Sequence, residues 1–332
     1  MTTGAGRIDV HHHIVPALYT EALARLGVGA GGGIPFPAWD PASALAMLDR
    51  QGIAIAVTSI SAPGLHFGDD AAARELARRC NELSARLVAD HPTRFGAFAV
   101  LPLPDVKGAL LELEYALDVL LLDGVVLLAS QSDGRYLGDP KFDDLMAELD
   151  RRQGVAFVHP AVPKSSESLP LDIPGAAIEF TFDTTRAALN LVWNGVADRC
   201  PSIRFILSHA GGTIPYLAHR ISLFGLLPQA RARMPKGPLE YLKRFYYDTA
   251  LSASPHALRS LQELVPAEQI LFGSDYPFLP EPLIDESIQG LADYRDFDAP
   301  TLERVEQSNA LALFPRLRST RADDAVARAI SR

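Results

Sequence analysis

The chain has 332 residues, 48% of them hydrophobic and 21% charged, with a formal net charge of −9 from 31 basic and 40 acidic side chains. This is the balance of a globular protein with a large core, and an acidic chain with no basic cluster argues against nucleic acid or an anionic membrane as partner. Cys80 and Cys200 are the only cysteines and form no CxxC motif, no apolar run approaches membrane-spanning length, and residues 1–7 hold no apolar signal core, so a reducing, cytoplasmic setting is expected.

Short β-branched apolar runs alternate with helical patterns along the chain. A first strand is expected over 7–10 (RIDV). A helix over 41–51 follows, with Asp40 as N-cap and Pro41 at its first position. Gly52 stops it, and 53–60 reads as the second strand. The rhythm then continues with a long amphipathic helix over 69–90, capped by Asp69 or Asp70, and a third strand over 94–100. A helix over 105–121, a strand over 124–128, a helix over 139–153 and a strand over 155–158 come next. The stretch 160–175 is polar and carries prolines, as a lid over a site would. A helix over 176–199, a strand over 203–207, helical periodicity over 213–227, a strand over 244–247, a helix over 255–264 and a strand over 270–273 complete the series. The rest is mostly helical, and the charged stretch 316–332 is expected to fray.

Continuous apolar strands alternating with helices signal a parallel sheet covered on both faces. Eight such units fit a single (β/α)8 TIM barrel over 1–332 better than an open doubly wound sheet. The glycine-rich segment 27–33 precedes a proline-bearing loop rather than a helix, which makes a dinucleotide fold a poor fit.

The strand ends carry the chemistry. Strand one runs into His11-His12-His13, and in a strand residues i and i+2 share a face. His11 and His13 therefore aim together into the barrel mouth, while His12 points away. Strand five ends at His159, strand six at His209 and strand eight at Asp275. Active sites of such barrels lie at the C-terminal ends of the strands. His11, His13, His159 and Asp275 are thus candidate ligands of one divalent ion, with His209 beside it. Imidazole plus carboxylate suits zinc, with manganese or iron as alternatives. Asp275 can both ligate and exchange protons. Asp9 is expected to hydrogen-bond close to the ligands, and Asp248, after strand seven, could face the pocket but reads more readily as a loop cap. His66, in the loop after strand two, is a candidate pocket residue.

The segments IDVHHHIVP (8–16), WDP (39–41), FVHP (157–160), LSHAGG (207–212), HRIS (219–222), FGSDYPF (272–278) and SNALALF (308–314) resemble the amidohydrolase superfamily, in the branch of the 2-amino-3-carboxymuconate-6-semialdehyde decarboxylases. The resemblance covers most of the chain. It implies that His11, His13, His159 and Asp275 hold the metal and that His209 is the general acid/base. Arg220 matches an arginine that meets the substrate carboxylate, in some members across a homodimer interface, and Phe278 matches a pocket aromatic. No lysine ends strand four (125–130), so a carbamylated-lysine binuclear site is not expected.

One departure bears on substrate. The branch carries a second substrate arginine before its Trp-Asp-Pro segment, and here 31–38 has none. Gly33, Ile34, Phe36 and Pro37 would make that wall apolar. The pattern is closest to decarboxylases of salicylate-type acids, such as 6-methylsalicylate decarboxylases, and the retained His-x-His tilts the metal towards zinc. The expected activity is non-oxidative decarboxylation of an aromatic or enol-type carboxylic acid, a carbon–carbon lyase reaction. The ligands alone leave open a metal-dependent hydrolase of a lactone, amide or ester. A catalytically dead barrel acting as a scaffold is the reading from another class, and the intact ligand set opposes it.

Overall fold

A computed structural model describes residues 6–166, 168–169 and 171–318. The strands are β1 (Arg7–His13), β2 (Ile53–Ser59), β3 (Phe95–Val100), β4 (Gly124–Leu128), β5 (Val155–His159), β6 (Arg204–Leu207), β7 (Tyr246–Asp248) and β8 (Ile270–Leu271). Each pairs in parallel with the next. Beyond β8 the backbone runs on beside β1. Val10 N–H donates to Phe272 O at 3.0 Å, Asp275 N–H to His11 O at 2.8 Å and His13 N–H to Tyr276 O at 2.7 Å. These bonds close the ring, giving the (β/α)8 TIM barrel. No helix among the described residues is long and apolar enough to cross a membrane.

The strands are apolar along their length because the barrel interior covers one face and helices the other. Phe98 and Phe157 stack inside the barrel with centroids 5.4 Å apart, and Phe157 meets the ring of His11 edge-on at 4.9 Å. The core therefore forms the floor of the polar cluster above it. Helix starts follow the capping signals. Asp40 accepts Ser43 N–H ahead of Pro41–Arg50, and Asp69, rather than Asp70, caps Asp70–Asp90.

Several boundaries differ from expectation. β1 continues through all three histidines, which are fully buried with partners for their rings. The helix expected over 176–199 breaks at Gly195, where φ is 75°, into Gly175–Trp193 and Val196–Arg199. The pattern over 213–227 forms one helix, Ile214–Phe224, and a short helix not expected from the sequence, Pro228–Arg233, follows it. The 105–121 helix passes from Val106–Glu114 into a π-helical turn, Tyr115–Val119. A helix at Ala17–Ala24 and a hairpin of Ala30–Gly31 with Ile34–Pro35 fill a region to which the sequence assigned no element. Of the stretch expected to fray, Arg316 bonds Asp123 at 2.7 and 2.8 Å and Leu317 is buried, so its start is packed. Residues 319–332 lie outside the described residues.

Candidate metal centre

Strand alternation sends His11 and His13 inward from β1, and His12 outward. His12 is buried against the Tyr276 ring, its Nδ1 3.1 Å from Asp9 Oδ2. Asp9 also accepts His11 N–H at 3.1 Å and Ser274 N–H at 3.0 Å, pinning β1 to the chain after β8. His159 ends β5, and Asp275 lies four residues beyond β8. One ligand atom from each of His11, His13, His159 and Asp275 lies within 4.8 Å of the other three.

The outer nitrogens of the three rings are all engaged. His11 Nδ1 meets Asp248 Oδ2 at 2.8 Å, His13 Nδ1 meets Ser59 Oγ at 2.9 Å and His159 Nδ1 meets Pro160 O at 2.8 Å. A carboxylate and a carbonyl only accept, so His11 and His159 carry their proton on Nδ1. Ser59 donates to His12 O, which leaves its oxygen to accept from His13. The Nε2 lone pairs are thereby left facing inward, and those of His11 and His13 are 3.0 Å apart. Asp275 Oδ1 sits 3.3 Å from one and 3.1 Å from the other. Two lone pairs at that separation repel unless a proton or cation lies between them. The donor set fits a divalent ion, with outer partners that fix tautomer and ring orientation.

The electrostatics show that the carboxylates draw positive charge to this spot, which a proton on His11 supplies where no ion does. Burial penalises charge on His11, but Asp248 and Asp275 outweigh it and push its pKa up to about 10. Burial holds His13 down to about 4 and His159 well below the usual imidazole range, the latter helped by the neighbouring histidines. Burial alone would raise Asp275, yet the charge and hydrogen bond of His11, with the hydrogen bond of His13, hold it well below the carboxylate range.

His209 follows β6 in a left-handed conformation, φ 54°, with its backbone N–H bonded to Asp248 Oδ1 at 2.9 Å. Neither ring nitrogen has a hydrogen-bond partner, and Nε2 is 3.6 Å from Asp275 Oδ2. A buried imidazole free on both sides, beside a carboxylate, can take or give a proton to a third molecule. Gly273 makes the cluster possible. A Cβ there would lie 2.7 Å from His11 Cβ and 3.3 Å from Asp248 Cβ, too close for any larger residue without moving a ligand.

Asp275 and His159 face a cavity of about 260 Å³ whose wall includes Ile34, Ser61, Ala177, Phe180, Leu251 and Phe278. Its lining, among the described residues, contains no arginine or lysine. Phe278 also meets the His13 ring edge-on at 5.6 Å. Of the apolar wall expected from 31–38, Gly31 and Ile34 line the cavity, whereas Phe36 packs on Tyr19 at 5.9 Å.

Two of the expected substrate contacts lie elsewhere. His66 bridges Ser132 Oγ at 2.7 Å and Asp70 Oδ1 at 2.8 Å, in a separate cleft of about 30 Å³. It ties the loop after β2 to the loop after β4. Arg220 is exposed on Ile214–Phe224 with its guanidinium over the Phe224 ring, and it is not part of the cavity lining.

The sequence underread Asp248. It does cap its loop, accepting Ala250 N–H at 3.0 Å, but it also orients His11 and anchors His209. Its place after strand seven allowed a pocket-facing role, and the structure gives it that role together with the preferred cap. Phe180 and Leu251 were not singled out, and nothing local marks them.

Residues 8–316 match the amidohydrolase family model. A 6-methylsalicylic acid decarboxylase of Penicillium expansum is 35% identical over 316 residues, 94% of this chain and 97% of that protein. A solved 2,6-dihydroxybenzoate decarboxylase from Rhizobium is 25% identical with a TM-score of 0.78, covering 94% of this chain and 98% of that one. A solved amidohydrolase II is 28% identical with a TM-score of 0.87, over 92% and 99%. The chain belongs to the amidohydrolase family, among its decarboxylases, which are carbon–carbon lyases.

Proposed function

We propose that this protein removes CO2, without oxidation, from an aromatic, salicylate-type acid bearing an apolar ring substituent, or from a related enol-type acid. The observation that carries this reading is the pairing of a free, buried His209 with a histidine–carboxylate cluster at the base of an apolar cavity. His11, His13, His159 and Asp275 would hold one divalent ion, zinc first and manganese as the alternative. Bound there, it would supply Lewis-acid stabilisation to a hydroxyl or carboxylate oxygen of the substrate.

The chain's own groups do the rest. His209 would hold a proton at Nε2 and pass it to the ring carbon bearing the carboxylate, with Asp275 Oδ2 at 3.6 Å as the neighbouring proton site. The C–C bond then breaks, CO2 leaves, and the electron pair of that bond restores the aromatic ring. Proton transfer of this kind contributes roughly 10²–10⁴-fold. Phe180, Phe278 and Ile34 would pack on the ring and keep water away. Gly32 lets the hairpin seat against the Gly175–Trp193 helix, since a Cβ there would fall 2.4 Å from Phe180 Cζ. A wall without a cation favours a monocarboxylate over a dicarboxylate.

Arg220 would orient the substrate carboxylate from the partner subunit of a homodimer. Its exposure supports this, as does the exposed apolar surface of Tyr216, Leu223 and Phe224 on the same helix. The single family match over 8–316 supports one catalytic domain, and the buried, unpaired Cys80 and Cys200 support a reducing, cytoplasmic location.

The test is CO2 release from metal-loaded protein across salicylates, dihydroxybenzoates and carboxymuconate analogues. Release from alkylated salicylates that stops with chelator, and returns with zinc or manganese, is the expected result. Fully loaded protein that releases no CO2 but opens lactones or amides would overturn the reading.

A further inference from the structure

Leu251 is in an unusual position for a leucine. Thr249 to Ser252 forms a turn, with Ser252 N–H donating to Thr249 O at 3.0 Å. Leu251 takes the third place with φ 54°, where glycine or asparagine normally sits because any other side chain crowds its own backbone. Burial would ordinarily offset such strain, but Leu251 is 57% exposed while its neighbour Ala250 is fully buried. The side chain nonetheless forms part of the cavity wall, with Ile34, Phe180 and Phe278. An apolar side chain held under backbone strain, largely in water, at the rim of an apolar cavity gains a packing partner only when something apolar enters.

We propose that Leu251 is a specificity-determining residue that covers the apolar substituent of the bound ring; the identity of that ring as a substrate rests on the decarboxylase reading above. Leu251 selects alkylated over unsubstituted rings, and its leucine surface becomes buried on binding. The turn already places the side chain in the cavity wall, so the contact is made without reordering the loop.

Two substitutions separate contact from stability. Leu251→Ala keeps the left-handed strain but removes the overhang. Leu251→Asn relieves the strain, because asparagine tolerates that conformation, and replaces the apolar surface by a polar one. Binding is measured by calorimetry on metal-loaded protein. The probes are 2-nitrophenol and its ring-alkylated counterparts, in which a planar nitro group replaces the carboxylate and cannot leave. Melting temperature and kcat/KM on salicylate against alkylated salicylates are measured in parallel. Both variants are expected to lose about tenfold of the preference for the alkylated ring, in binding and in kcat/KM. The Asn variant should melt at or above the wild type, so that the loss does not track stability. A preference kept within twofold in both variants overturns the inference. If wild type turns over no acid, yet the substitutions still erase its preference for alkylated probes, the Leu251 contact stands and the decarboxylase reading falls. If wild type binds none of the probes, the inference falls with it.

Discussion

Asp248→Asn is the most informative single substitution. The wild-type carboxylate accepts three bonds while fully buried: His11 Nδ1–H on Oδ2, and the N–H groups of His209 and Ala250 on Oδ1. Asparagine has one acceptor oxygen and one donor amide. If the oxygen keeps the two backbone N–H groups, the amide faces His11 Nδ1 and forces the proton of that ring onto Nε2, the atom that should bind metal. If the oxygen keeps His11, the amide points at two other donors. Either arrangement disorders a ligand. Loss of an outer partner of this kind lowers metal affinity about 10–100-fold, which is roughly 1.4–2.7 kcal/mol. Competition with a chromophoric chelator gives the affinity, and melting of the metal-free forms corrects for any general destabilisation. Asp248→Asn protein that binds zinc within twofold of wild type, with an unchanged melting temperature, would refute the argument that this carboxylate sets the His11 tautomer.

Other predictions follow from the same geometry. His11→Ala or His159→Ala should lose metal, whereas His209→Ala should keep stoichiometric metal by elemental analysis and lose on the order of 10²–10⁴-fold in kcat; full turnover in His209→Ala would remove that residue from the reaction. Gly273→Ala should weaken metal binding without touching a ligand, since its Cβ falls 2.7 Å from His11 Cβ; unchanged affinity would contradict the close approach. Mixing His209→Ala with Arg220→Ala protein should restore activity above that of either alone, because only a mixed dimer would assemble one intact site; no recovery in a verified heterodimer would place Arg220 outside the neighbouring cavity. Asp105 is held below the usual carboxylate range by Arg74 and, against the effect of its burial, by Gly108 N–H. A depressed folded-state pKa stabilises above the unfolded value and is lost as pH falls through the folded one, so Asp105→Asn should cost melting temperature at pH 7, by a gap that begins to narrow below about pH 4 and closes only as pH falls through the depressed folded value. A gap that does not narrow at all as pH is lowered from 7 to the acid limit of folding would mean that the charge is not its source.

The candidate metal centre and the histidine beside it were legible because each residue follows from a rule of period or position. Strand alternation selects His11 and His13 and rejects His12, and the C-terminal-end rule finds His159, His209 and Asp275. What was not legible lies where the chain has no period. His66 sits in the loop after β2, and no pattern says which way a loop side chain faces; it turns to Ser132 and Asp70 rather than to the cavity. Arg220 follows a helical phase, but phase fixes a face of the helix and not the molecule that face meets. The hairpin at Ala30–Gly31 and Ile34–Pro35 has strands of two residues, too short for alternation to register. The π-helical turn Tyr115–Val119 has the composition of the helix it extends.

This division has a functional consequence. Asp248 on β7 holds His11 of β1 and the backbone of His209 after β6, so on the proposed reading metal position and proton position are coupled through one buried carboxylate. The wall of the cavity shares none of those bonds. Ile34 comes from the hairpin, Phe180 from the Gly175–Trp193 helix and Leu251 from a turn beyond β7. Changes at these three positions can alter which ring fits without disturbing the tautomer of any ligand. Changes at Asp248 or Gly273 cannot alter the ring preference without first loosening the metal. On the proposed reading, reaction type and substrate choice therefore reside in separate sets of residues, the first on the regular strands and their ends, the second on the irregular segments above them.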